Sequence, residues 1–184
     1  MAQDLAVLRI VEVGFEDEDL LNVVSKGVRS KLGLRTAASF EPSIPREAFD
    51  ESRNQYVSDA LLSWISRRFS GLVLGLVNAD AYTPGLNFVF GQAQLGGRAA
   101  VVFLERLRPE FYGRSGDRSL FLERVEKESL HELGHVFGLG HCPDRRCVMS
   151  FSNSIVEVDL KGSDFCPRCS LLLRRLRAAG GVLR

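Results

Sequence analysis

All three histidines and all four cysteines of this 184-residue chain lie in one stretch of 39 residues, from His131 to Cys169. Imidazole and thiolate groups are the side chains best suited to transition metals. Seven such side chains in one short stretch constrain the fold strongly, because the backbone must bend so that several of them can reach the same metal ion. The stretch opens with His131-Glu132-Leu133-Gly134-His135, and the third histidine follows six residues later.

The histidine spacing predicts a metal site that starts on a helix. His131 and His135 are four residues apart, so on a helix they lie one turn apart on nearly one face. A continued helix would point His141 about 240° away from His135, so the chain must turn, and Gly138 and Gly140 permit this. Three imidazoles leave the fourth position of a catalytic zinc site open. The competing interpretation is that the three histidines are ordinary core or surface residues that bind no metal, and their spacing disfavours it.

Glu132 lies beside a predicted ligand without being needed as one. A carboxylate in that place can take a proton from water and later pass it to a leaving amine. The sequence therefore predicts Glu132 as the catalytic general base and His131, His135 and His141 as ligands of a catalytic zinc.

The cysteines form two chelating pairs, Cys142-x4-Cys147 and Cys166-x2-Cys169. Four thiolates make a closed, structural zinc site. Two alternatives remain: Cys166 and Cys169 could be a redox dithiol, or the cysteines could form disulfides. The matching second pair disfavours the dithiol, and the absence of an export signal disfavours disulfides. We predict that a structural zinc clamps the loop after His141 onto the last helix.

The histidine motif resembles that of the metzincin zinc peptidases, rather than the gluzincins, and Met149 fits the methionine of their Met-turn. In that family the methionine forms an apolar floor beneath the metal. Some metzincins carry a ligating tyrosine two residues after the methionine. Here Phe151 occupies that place, so no tyrosine ligand is expected. With the cysteine pairs added, the pattern is similar to that of the archaemetzincins.

The resemblance implies a metzincin-like zincin fold. We expect an α/β (α+β) chain with a twisted, mixed five-stranded sheet, a backing helix and an active-site helix. A small irregular and helical lobe would follow. One metallopeptidase domain would cover 1–184, as subdomains 1–140 and 141–184. The resemblance also implies two zinc ions per chain and hydrolysis of peptide bonds by a zinc-activated water. Peptide substrates would add to an edge strand at 87–94.

Apolar periodicity predicts where the elements lie. Strands are expected at 5–13, 34–40, 72–77, 87–94 and 99–104, and an irregular segment from Gly138 to about Asp164. Helices are expected to include Leu20 to Val28 (stopping at Gly33), Val57 to about Phe69, and Leu120 to Phe137 (capped by Asp117 or Ser119). A last helix is expected at 167–179. Trp64 falls in the apolar stripe of the second helix and is expected in the core.

The net charge of +1 and ordinary apolar content suit a soluble protein. With no signal sequence or membrane span apparent, we expect a cytoplasmic, monomeric enzyme that does not bind membranes. We do not expect the protein to bind nucleic acid, although the last 20 residues carry five arginines and no acidic residue. This basic segment supports the alternative function, a non-catalytic zinc module that binds nucleic acid or protein. Glu132 favours the enzyme.

Overall fold

The computed structural model describes residues 7–178. The strands are β1 (Val7–Val13), β2 (Arg35–Glu41), β3 (Phe49–Asp50), β4 (Gln55–Val57), β5 (Leu72–Val77), β6 (Ala81–Tyr82), β7 (Gly91–Ala93) and β8 (Ala99–Phe103). The helices are α1 (Glu18–Leu32), α2 (Ser58–Arg68), α3 (Arg118–Val136), α4 (Ile155–Leu160) and α5 (Pro167–Ala178). None of the helices in this described part is long and apolar enough to cross a membrane.

The main sheet has five strands in the order β2-β1-β5-β8-β7. All neighbours are parallel except β8 and β7, which are antiparallel. The central strand β5 is buried along its whole length, as expected for a strand covered on both faces. The predicted mixed five-stranded sheet is therefore confirmed. A second small sheet, β3-β4-β6, was not predicted.

Helices cover both faces of the main sheet, because successive strand residues point to opposite sides. Leu8 and Ile10 of β1 join the core shared with α1 and α3. Val11 and Val13 join a second core, under α2. Trp64 of α2 is half-buried against this second core. The zinc-motif helix α3 and the sole tryptophan thus lie on opposite sides of the sheet.

Local signals place the helix ends. Asp17 accepts a hydrogen bond from Leu20 N (3.1 Å) at the start of α1, and Asp117 accepts one from Leu120 N (2.9 Å) at the start of α3. Such side chains satisfy free N–H groups of the first turn. Gly33 ends α1 in the left-handed region, at φ 61°. The predicted stop at Gly33 and the predicted cap at Asp117 are confirmed.

Two sequence-based element predictions were wrong. The strand predicted at 87–94 is regular only at β7, and Val89 forms an isolated bridge to Ala81 instead. The segment predicted as irregular contains α4, whose first turn is capped by Ser154. Too few residues form α4 for helical periodicity to show. Residues 5, 6 and 179 of the predicted elements lie outside the described part of the chain.

Asp17 also ties the starts of α1 and α3 together, and this contact predicts a pH effect. Arg118 Nη1 donates to Asp17 Oδ2 (2.7 Å), and this hydrogen bond lowers the pKa of Asp17 below its usual 3.8. Asp17→Asn should keep the cap but destabilise the protein at neutral pH by less than about 1 kcal/mol. Because the folded-state pKa is lowered, the ion pair stabilises above the usual value and is lost as pH falls through the folded value. The destabilisation measured by urea unfolding should be larger at pH 7 than at pH 3; an equal difference at both would contradict the assignment.

Candidate metal centre and cleft

His131 and His135 project from the last turns of α3 toward one point. Their Nε2 atoms are 3.1 Å apart, and their rings are perpendicular. A tetrahedral zinc with bonds of about 2.0–2.1 Å would set two nitrogens about 3.3 Å apart. The observed separation therefore suits a shared metal ion.

The chain turns after α3 and brings the third histidine back. Gly138 adopts φ 91°, and its N–H donates to His135 O (2.8 Å) while Leu139 N–H donates to Gly134 O (2.9 Å). The His141 ring centroid then lies 5.4 Å from that of His131 and 4.8 Å from that of His135. One nitrogen from each ring lies within 4.8 Å of the others. The structure thus brings together the three histidines singled out in the sequence.

Backbone carbonyls orient two of the rings. His131 Nδ1 is 2.8 Å from Val148 O, and His135 Nδ1 is 2.7 Å from Leu139 O. Since a carbonyl only accepts, each Nδ1 must donate its proton, and each Nε2 lone pair faces the common point. Burial lowers the pKa of all three imidazoles. They are accordingly neutral near pH 7, the form that binds a metal.

Glu132 is buried beside this point, with 5% of its surface exposed. Burial raises the pKa of its carboxyl group well above the usual value; Glu128 raises it further, while Lys161 opposes the rise. The side chain lines the same cleft as the histidines. A buried carboxyl with a raised pKa in a cleft marks a candidate functional residue.

Met149 is fully buried. It packs against Gly134, which lies between the two helical histidines; a Cβ there would lie 2.2 Å from Met149 Sδ. Met149 O also accepts a hydrogen bond from Cys142 N (2.9 Å). The structure thus places Met149 against the helical turn that carries His131 and His135.

The four cysteines converge at a second point. Their sulfurs lie within 4.8 Å of one another, and Cys142 Sγ is 3.8 Å from Cys166 Sγ. A tetrahedral zinc with bonds of about 2.3 Å would hold its sulfurs about 3.8 Å apart. Cys166 N–H donates a hydrogen bond to Cys147 Sγ (3.3 Å). None of the four forms a disulfide, so the thiol geometry fits a closed metal site.

The two clusters are directly joined, since His141 and Cys142 are consecutive residues. At the far end of the intervening loop, the carbonyl of Val148 contacts His131, and its N–H donates to Asp164 O (2.9 Å). The position of the third imidazole therefore depends on the conformation of the cysteine-bearing loop.

A cleft of about 400 Å³ lies above the histidines. Residues 86–93, including β7, form one wall, and residues 151–153 border it on another side. On either side of β7, Phe90 O accepts a hydrogen bond from Phe103 N of β8, and Gln94 N donates one to Ala99 O of β8. Because backbone groups alternate in an antiparallel pair, those of Gly91 and Ala93 face away from β8. The sheet thus presents an open edge at the cleft.

A buried polar seam, which sequence reasoning missed, joins α3 to α4 and the residues after it. Arg124 makes two 2.7 Å hydrogen bonds to the carboxylate of Asp159, and Lys127 Nζ donates to Val158 O (3.3 Å). Lys161 Nζ lies 2.7 Å from Glu128 Oε1, and both side chains are at most 3% exposed. The seam fixes the zinc-motif helix to the segment that follows Met149.

The basic final segment is partly explained by packing. Arg177 of α5 donates a hydrogen bond to Leu32 O, and its guanidinium lies 5.4 Å from the ring centroid of Phe137. Arg168, Arg174 and Arg175 are exposed. Arg184 lies outside the described residues. One arginine of this segment therefore holds α5 against α1 and α3.

The family of the chain follows from comparison with known proteins. A model of peptidase family M54 matches residues 44–175, well over half of the chain. The chain belongs to peptidase family M54. An archaemetzincin of Methanopyrus kandleri is 53% identical over 141 residues, covering 75% of this chain and 77% of that protein. One of Pyrococcus furiosus is 43% identical over 186 residues, covering 95% of each.

Two solved structures share most of this fold. The crystal structure of the Methanopyrus kandleri archaemetzincin superposes with a TM-score of 0.86 at 42% identity, covering 97% of this chain and 99% of that one. A zinc-dependent peptidase of Methanocorpusculum labreanum gives 0.82 at 30% identity, covering 90% and 99%. The predicted resemblance to archaemetzincins and the predicted fold class are confirmed. This M54 chain is a zinc metallopeptidase whose substrates are peptides or proteins.

Proposed function

We propose that the chain hydrolyses peptide bonds with a catalytic zinc held by His131, His135 and His141 and with Glu132 as the general base. The observation that carries this proposal is the position of Glu132. Its carboxylate stands beside three convergent imidazoles, in a cleft whose wall is an open sheet edge. A site that only stored a metal would not need a buried carboxyl beside the metal ligands.

The substrate lies along β7 in this proposal. The backbone groups of Gly91 and Ala93 are free to pair with an extended peptide, as in other complexes formed by strand addition. Main-chain hydrogen bonds position the scissile bond over the histidines whatever the sequence of the peptide. Phe88 and Phe151 give the same cleft apolar walls that can contact side chains of the peptide.

The zinc, when bound, supplies the Lewis acidity that lowers the pKa of water and polarises the peptide carbonyl. Glu132 accepts a proton from the attacking water and then donates it to the nitrogen of the departing amine. Phe151 packs against His141, with ring centroids 4.8 Å apart, and offers no ligand atom. The chain's contribution is therefore three oriented imidazoles and one carboxyl that carries the proton.

A second zinc, held by Cys142, Cys147, Cys166 and Cys169, completes the proposal. Its four thiolates leave no position for substrate, so its role is structural. It fixes the loop that carries His141 against the start of α5. The closed site stabilises the C-terminal residues, and through Cys142 it holds the third imidazole in place.

Metal analysis and a peptide digest test these assignments together. We expect about two zinc ions per chain in reduced protein, and one in the His131→Ala/His135→Ala protein. The native protein should cleave members of a peptide library, the doubly substituted protein should not, and chelation should abolish cleavage until zinc is restored. Cleavage by the doubly substituted protein, or complete loss of its zinc, would refute the assigned ligands.

A further inference from the structure

The edge strand β7 and the helix α3 meet at a contact that the reaction scheme does not use. Gly91 of β7 faces the side chain of Glu132. A Cβ on Gly91 would lie 2.6 Å from Cγ and Oε1 of Glu132 and 2.8 Å from its Cδ. Atoms cannot approach so closely, so any side chain at this position would displace the carboxylate.

The backbone does not explain this glycine. Gly91 is absent from the residues of the described chain with positive φ, and it lies in a regular antiparallel pairing with Val102. An L-residue can adopt such a conformation without strain. The reason for glycine at position 91 is therefore the space that Glu132 occupies.

The side chain of Glu132 has less freedom than an exposed glutamate, since only 5% of the residue is exposed. Strand β7 cannot move away freely, because it pairs with β8 in the plane of the sheet and Phe103 N donates to Phe90 O (2.8 Å) directly before it. A new Cβ would thus be relieved mainly by rotation of the Glu132 carboxylate away from the strand.

We propose that Gly91 is a positioning residue for Glu132. Its missing side chain lets the carboxylate lie against the backbone of β7, where a peptide added to that strand presents its scissile bond. The inference rests on the proposed function for its consequence in catalysis, but the contact itself is independent of it. The same strand thereby aligns both the substrate and the group that transfers the proton.

The chain offers a matched control. Gly27 of α1 also packs against a glutamate of α3, and a Cβ there would lie 2.5 Å from Glu126 Oε1. Gly27→Ala therefore imposes the same crowding on the same helix, on the side away from the cleft. Gly91→Ala should lower kcat about a hundredfold with little change in KM, whereas Gly27→Ala should leave both constants unchanged. Equal kcat values for the two variants would overturn the proposal.

A stability cycle tests the contact without any activity measurement. In the zinc-loaded protein, Gly91→Ala should lower the urea midpoint. In a Glu132→Ala background the three crowded atoms are gone, so Gly91→Ala should leave the midpoint unchanged or raise it, since alanine restricts the unfolded chain. The same midpoint shift in both backgrounds would refute the contact. If the native protein cleaves no peptide, the proposed function fails, while this cycle still decides the role of Gly91.

Discussion

Glu132→Gln should lower kcat for peptide hydrolysis about a thousandfold, the range expected when a positioned general base is removed. Glutamine has nearly the shape of glutamate, so the fold and the contact with Gly91 should persist. It cannot accept the proton of the attacking water, nor return one to the leaving amine. Zinc content should equal that of the native protein, because Glu132 is no ligand in the proposed site.

Glu126→Gln is the matched control for this substitution. Glu126 lies on the same helix and contacts Gly27 on the side away from the cleft. It should therefore leave kcat unchanged. Initial rates on one cleaved peptide, with zinc measured in each preparation, make the comparison. Equal rates for Glu132→Gln and the native protein would refute the assigned proton transfer, and loss of zinc would show that Glu132 holds the metal.

Cys169→Ser should remove one zinc and destabilise the C-terminal part of the chain by several kcal/mol, since the binding energy of a structural zinc is of order 10 kcal/mol. Cys169 is buried at the start of α5. Without its thiolate, the loop from Cys142 to Met149 loses its clamp. The catalytic site should then bind zinc about 10–100-fold more weakly, because the support of His141 is lost.

Arg168→Ala controls for the position, because Arg168 lies in the same Cys-x-x-Cys turn and is exposed. It should keep both zinc ions and the native melting temperature. Metal analysis, thermal unfolding and competition with a chromogenic chelator would measure the three effects. Retention of both zinc ions by Cys169→Ser, or unchanged affinity at the histidine site, would contradict the clamp.

The sequence predicted those parts of the site that depend on local geometry. Helical spacing placed His131 and His135 together, and Gly138 identified the turn that returns His141. The two cysteine pairs were predicted as one cluster because a closed zinc site takes four thiolates and each pair supplies two. Strand composition located β1, β5 and β8, because these strands are apolar along most of their length, whereas the mixed five-stranded arrangement was implied by the resemblance to metzincins.

The long-range packing contacts could not be predicted from the sequence. Arg124, Lys127 and Glu128 have the spacing of an ordinary solvated helix face, yet all three are buried. Their contacts with Val158 and Asp159 of α4 and with Lys161 after it join distant parts of the sequence, so only the folded chain shows the seam. The role of Gly91 could not be predicted from the sequence either, because Glu132, which lies against it in the fold, is 41 positions away in the chain. Glycine in a short strand is equally typical of a turn or a bulge.

The half-buried Trp64 supplies the protein with an internal optical reporter. It is the sole tryptophan, and it packs on the α2 side of the sheet rather than on the side of α3. Its emission therefore follows the integrity of that one layer and does not respond directly to events at the two metal clusters. Fluorescence and metal release, recorded during the same denaturation, would report on two different parts of the molecule.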